Sequence, residues 1–253
     1  MSTFKFSSVF ASCVFALSVT SPVLADDITV SAAASLTNAF KAVGTAFEKQ
    51  YPDDKVTFNF AASDVLLQQI VRGAPVDVFA SADQIAMDRA AKESAVQPAT
   101  RKNFAANQIV MIVPAGSDDG PKAVADLRND SVKRVAYGNP ASVPVGRYTQ
   151  AALERDGLWD VVSAKGVPAQ NVRQSLDYVA RGEVDAGFVF ATDATIMPDK
   201  VNVAAQLPAV SPVTYPIART TRNDAAQAAD RFVAFVLSDQ GQAILATFGF
   251  EKP

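Results

Sequence analysis

Two serines stand at matching points of the chain, Ser35 in VSAAASLTNAF and Ser63 in FNFAASDVLLQQI. Each follows an alternating apolar run and a short stretch of alanines. Each opens a segment whose apolar residues recur at helical spacing. A hydroxyl at such a turn can cap the orphan backbone N–H groups of the first helical turn. Small residues there also let a guest approach the same N–H groups. The favoured guest is an anion, because partial positive charge gathers at a helix N-terminus. Cap and anion seat both stay open on these residues alone.

The serines need elements to hold them. Strand and helix signals alternate along most of the chain, which predicts an α/β architecture with mainly parallel sheets. The pattern gives a strand over 27–31, then a helix from Ser35 through Leu36, Phe40, Val43 and Phe47 that stops at Tyr51-Pro52. A strand over 56–60 follows, and a helix from Ser63 to Gly73. After Pro75 come the strand VDVFAS and a helical segment over 83–95. NQIVMIVPAG, residues 107–116, reads as a long apolar strand crossing between lobes. The pattern then restarts with an AVADLRN helix, the strand VKRVAYG, the loop NPASVPVG and the helix GRYTQAALERDG. NVRQSLDYVARG and the strand VDAGFVFATDA complete that half. YPIAR, residues 215–219, reads as a second crossing strand, and helical segments over 224–237 and 238–248 close the chain.

The two halves echo one another weakly: Arg72-Gly73, Val76-Asp77, Phe79 and Asp83 against Arg181-Gly182, Val184-Asp185, Phe190 and Asp193. Two crossings predict one lobe from residues 26–106 plus 216–253, and a second from 107–215 including the hinge strands. The cleft between them is where helix N-termini from both sides can face one guest. Asp64 reads as a first-turn complement to the helix dipole. Asp77 and Asp83 read as structural.

Composition narrows the chemistry. The first 25 residues read as an export leader: Lys5, an apolar stretch over 9–19, Pro22, and then Val23-Leu24-Ala25, where a signal peptidase would cut. A membrane anchor competes, but serines interrupt the run and it is short for a span. A lipoprotein would need Cys13 nearer the cut. Cleavage after Ala25 leaves 228 of the 253 residues and removes the single cysteine from a sequence that has no histidine. That excludes disulfides, a thiol nucleophile, Ser-His or Cys-His pairs, and zinc on its usual soft ligands. Of 23 basic and 26 acidic residues the leader takes one base, Lys5, which gives the mature chain a net charge of −4. No basic patch marks a nucleic-acid or anionic-membrane partner.

The stretches VSAAASLTNAF, FNFAASDVLLQQI, GAPVDVFASAD, GNPASVPVGRYTQAAL, LWD, NVRQSLDYVARGEVDAGFVFATDA and QAILATFGF, in one register along nearly the whole mature chain, carry a resemblance. Together they resemble the periplasmic molybdate-binding proteins of ATP-driven transporters. The resemblance implies a two-lobed periplasmic-binding-protein clamp of type II-like form with two hinge-crossing strands. It implies high-affinity binding of molybdate and tungstate, delivery to the membrane permease and ATPase of an ABC transporter, and a periplasmic monomer. It implies no enzymatic activity, no cofactor and no nucleic-acid partner. Carried over by position, Ser35 and Ser63 would be first-lobe donors through hydroxyl and backbone N–H. Val145 in SVPVG and Val172 in QNVRQ would touch the ion through backbone N–H. Phe190 stands where much of the family has tyrosine, so the fifth contact lacks a hydroxyl. Molybdenum would be held only as its oxyanion, with no direct protein ligand.

A donor-only site suits such an ion. Its oxygens only accept, and a buried dianion is costly unless each oxygen is hydrogen-bonded. Bonds to charged groups contribute about 1.5–3 kcal/mol each. Phosphate keeps a proton near neutral pH, and the matched positions offer that O–H no carboxylate. The alternative guests for the same clamp are sulfate, another tetrahedral oxyanion or a small organic anion. A carboxylate binder would usually present an arginine fork, and the matched positions have none. A hydrolase would want G-x-S-x-G or a Ser-His pair, and the sequence has neither.

Overall fold

The computed structural model describes residues 27–117 and 119–253. The leader predicted over residues 1–25, with Cys13, lies outside them. The chain forms β1 (Asp27–Ala33), α1 (Thr37–Gln50), β2 (Lys55–Ala61), α2 (Ser63–Val71), β3 (Val78–Ala80), α3 (Gln84–Lys92) and β4 (Lys102–Asn107). It continues through β5 (Ile109–Pro114), β6 (Val135–Gly138), α4 (Pro144–Arg155), α5 (Trp159–Ala164), β7 (Gly166–Ala169), α6 (Val172–Ala180), β8 (Ala186–Phe190) and α7 (Ala191–Ala194). Last come β9 (Val201–Leu207), β10 (Val213–Arg219), α8 (Ala226–Leu237) and α9 (Asp239–Thr247).

These strands make two five-stranded sheets, in the orders β2-β1-β3-β10-β4 and β7-β6-β8-β5-β9. In each, the first three strands are parallel and the fourth, β10 or β5, runs antiparallel to both its neighbours. The sheets therefore repeat one topology, and the echo between the halves has a structural cause. Asp77 and Asp185 do the same work in each. Asp77 accepts the Thr29 N–H at the start of β1 (2.8 Å), and Asp185 accepts from Lys133 and Arg134 (2.6 and 2.9 Å) just before β6. Gly73 and Gly182 end α2 and α6 with φ of 92° and 66°, which a side chain would resist.

The first core follows from the helical spacing read in α1. Phe40, Val43 and Phe47 are buried, and Phe40 packs among Phe58, Phe104 and Phe232 with ring centroids 5.6–6.2 Å apart. Pairs of this kind add about 0.5–1.5 kcal/mol each beyond their area. In the second half, Tyr137 meets Trp159 at 5.1 Å.

The chain passes between sheets at Gln108, between β4 and β5, and returns over residues 208–212, between β9 and β10. The apolar strand read over 107–116 thus lies in the second sheet as β5, and YPIAR lies in the first as part of β10. AVADLRN forms a 3-10 turn (Val124–Arg128) and not an α-helix. The strands β4, β7 and β9 gave no sequence signal strong enough to assign.

Candidate anion-binding site

Each predicted site residue sits where a strand hands over to a helix. After β1, Ala34–Leu36 make one 3-10 turn before α1, and Ser35 is buried in that turn. Ser63 is the first residue of α2, after β2. Val145 is the second residue of α4, beyond the Pro144 start that proline's fixed φ favours. Val172 is the first residue of α6, and Phe190 ends β8. Gly146 allows the third of these junctions: a Cβ there would run into the Gly138 carbonyl at the end of β6.

All five residues line one cavity between the two sheets, along with alanines of the β1 and β2 turns, Val143 and Asn171. The cavity is small, about 10 Å³ of space open to the centre of a water molecule. That is about the room of one water molecule, so a guest larger than a compact ion would need the two sheets to part. Among the described residues no lysine, arginine, aspartate or glutamate lines it. The polar groups it offers are those of helix starts.

The donors at those starts are left over after the protein's own bonds are counted. Among the described residues no side chain caps α1, α2 or α4. In α4, Gly146 and Arg147 donate back to the Val143 carbonyl (3.0 and 3.2 Å) and Pro144 has no N–H. Val145 N–H is then the first uncommitted donor of that turn. In α6 the Asn171 side chain accepts from Gln174 N–H (3.0 Å), so the cap leaves the first residue, Val172, untouched.

Neither serine caps its helix, against the plainer sequence reading. Tertiary partners take both hydroxyls. Ser63 Oγ accepts the Ala82 N–H at 3.0 Å. Ser35 Oγ lies 3.1 Å from Tyr215 Oη. Burial pushes the Tyr215 hydroxyl well above its ordinary range, so it stays protonated.

Two arginines beside the cavity join the sheets. Arg147, on α4, donates to Asp64 on α2 (2.7 Å) and to Asp83 before α3 (2.6 and 2.8 Å). Arg89 also pairs with Asp64. Burial pulls the Arg147 guanidinium down, and Asp83 and Asp64 outweigh it and hold it above its usual value. Arg173, on α6, donates to Asp193 (2.5 Å), to Asn38 (2.9 Å) and to the Ser35 carbonyl (3.3 Å). Asp64 is therefore more than a dipole complement. Asp83 is structural as read, accepting from Ala86 N–H at the start of α3.

A model of the bacterial extracellular solute-binding protein family matches residues 28–251. The chain belongs to that family. The molybdate-binding protein ModA of Escherichia coli is 37% identical, covering 97% of this chain and 98% of its own. ModA of Haemophilus influenzae is 35% identical, covering 88% and 89%. Among solved structures, the periplasmic molybdate-binding protein of Azotobacter vinelandii matches with TM-score 0.79 at 24% identity, over 89% of this chain and 99% of that one. The sulfate-binding protein SubI of Mycobacterium tuberculosis matches with TM-score 0.78 at 19%, over 89% and 86%. At these identities the two structures establish the fold, the two-lobed α/β clamp of solute-binding proteins.

Sequence reasoning missed Tyr215, Asn107, Arg147 and Arg173. Arg147 and Arg173 each lie within two residues of a predicted contact, in VPVGR and NVR, which was a usable signal. Tyr215 carried none, since 180 residues separate it from Ser35.

Proposed function

We propose that this solute-binding protein holds molybdate, and tungstate by the same chemistry, in the cavity lined by Ser35, Ser63, Val145, Val172 and Phe190. The observation that carries the reading is a small cavity faced by four helix starts, with uncommitted backbone N–H donors and no charged side chain among its described lining residues. The names of the relatives, molybdate-binding proteins at 35–37% identity, point the same way. Donors alone match an ion whose oxygens only accept, and the helix termini supply partial charge without a counter-ion. A protonated phosphate would find no carboxylate at the cavity wall. The protein acts in the periplasm as a monomeric carrier, without catalysis or cofactor, and passes the ion to the permease and ATPase of an ABC transporter.

Titration of the mature protein against an oxyanion panel tests this. Molybdate and tungstate are expected to bind one to one and to raise the melting temperature far more than equal sulfate or phosphate, by mass action on the folded state. Equal stabilisation by sulfate would replace the molybdate assignment with a broader oxyanion one.

The serines offer a second check. Ser63→Ala leaves the buried Ala82 N–H without its acceptor, an expected fold cost of about 1–3 kcal/mol. Ser35→Ala leaves the Tyr215 hydroxyl short of one partner. Each change is also expected to weaken molybdate binding about tenfold or more, through loss of a donor to a charged oxygen. If both variants melt early yet titrate with molybdate like the parent, the hydroxyls are structural only.

A further inference from the structure

Ser35 does not stand alone at the cavity wall. Its oxygen belongs to a buried chain that runs Thr192, Asn107, Tyr215, Ser35. The direction of that chain can be worked out from its one fixed group. Asn107 Oδ1 accepts the Gln108 N–H at 2.9 Å, which fixes the amide orientation. Its Nδ2 therefore faces Thr192 Oγ1 (2.9 Å) and Tyr215 Oη (3.3 Å), and an amide nitrogen only donates. Tyr215 Oη accepts that bond and still has its own proton to place. Ser35 Oγ, at 3.1 Å, is the acceptor the structure provides. Once Ser35 Oγ accepts from Tyr215, its own proton is free for the cavity that Ser35 lines.

Ser63 reaches the same state by another route. The Ala82 N–H can only donate, so Ser63 Oγ accepts from it and keeps its proton for the cavity. Both serine hydroxyls are thus supplied from behind by a donor.

We infer that Tyr215 is a positioning residue for the anion site: with Asn107 behind it, its hydroxyl fixes Ser35 as a donor toward the cavity and so favours fully deprotonated oxyanions over guests that must themselves donate. This rests on the anion reading given above. It adds a residue outside the cavity lining to the groups that set selectivity. Tyr215 also packs on Phe104, Phe190 and Phe250, with ring centroids 5.5–6.2 Å away. A phenylalanine would keep those contacts and remove only the hydroxyl.

A double-mutant cycle read by molybdate titration separates positioning from packing. Tyr215→Phe in the parent is expected to weaken molybdate about tenfold. In a Ser35→Ala background, where no hydroxyl remains to orient, the same change is expected to cost less than twofold. Asn107→Ala serves as the second variant should Tyr215→Phe fold poorly. It removes the group that sets the direction, and its loss is likewise expected to vanish with Ser35→Ala. Equal losses in both backgrounds, or no loss in the parent, overturn the proposal and leave Tyr215 a packing residue. A parent protein that ignores molybdate overturns the molybdate reading itself, a result distinct from binding without coupling.

Discussion

Replacing Arg147 by alanine is expected to destabilise the protein by about 3–5 kcal/mol, the range for removing one partner of a buried ion pair. The size follows from what is left behind. Asp64 and Asp83 are 1% and 2% exposed, and Arg147 itself only 16%. Surface screening therefore does little to soften the loss, unlike that of an exposed pair. Asp64 keeps Arg89, but among the described residues the Asp83 carboxylate keeps only the Ser81 hydroxyl and the Ala86 N–H. Arg147 also ties α4 to α2, two helices whose starts meet at the cavity, and to the start of α3 through Asp83. Molybdate binding is expected to weaken in the same variant, because Asp83 would be left without its cation near the anion site and the sheets would lose a clasp. Arg147→Lys should recover only part of both, since one ammonium cannot present the fork that serves two carboxylates. Chemical denaturation with and without molybdate measures each effect. An Arg147→Ala protein with the parent's denaturation midpoint would show that the clasp contributes nothing net.

The sequence showed the architecture well where periodicity is local. The i, i+3, i+4 spacing of Phe40, Val43 and Phe47 marked α1, and the apolar runs of β3, β5 and β8 marked central strands. It failed at β7 and β9, which are short or outer strands. GVPA is four residues long with a proline, and VNVAAQL is held by a neighbour that only the folded chain supplies. Edge pairing is a tertiary fact, so propensity could not report it.

At the site, Ser35 and Ser63 were legible because strand-to-helix turns leave a signature of small residues and serine, whereas Val145, Val172 and Phe190 came only from the family resemblance. The groups that hold those residues in place were not. Arg147 meets Asp64 and Asp83 across 83 and 64 residues, and Tyr215 meets Ser35 across 180. No spacing rule reaches that far. The cap reading failed for the same reason: each serine hydroxyl found a distant partner that the local sequence does not name.

The second large effect concerns Asp193, whose burial pushes its carboxyl up from 3.8 to about 6 even though Arg173 and a backbone hydrogen bond at Phe190 pull it down. The carboxylate is fully buried, and its Oδ2 has no hydrogen-bond partner among the described residues. Desolvation therefore outweighs the single bond from Arg173 to Oδ1. The folded carboxyl keeps its proton up to about pH 6, whereas the unfolded one loses it near 3.8. Between those values the folded state holds the extra proton. Its stability then falls as pH rises through the window and is level above it. A shift of about two pH units corresponds to roughly 3 kcal/mol. Asp193→Asn removes the titration while keeping an oxygen for Arg173. The stability of the variant minus that of the parent is expected to climb from pH 4 to pH 6.5 by up to that amount and then stay flat. Unfolding curves at half-unit pH steps would decide it. Parallel pH profiles for the two proteins would mean that Asp193 is ionised throughout, with Arg173 holding its charge more strongly than burial opposes it.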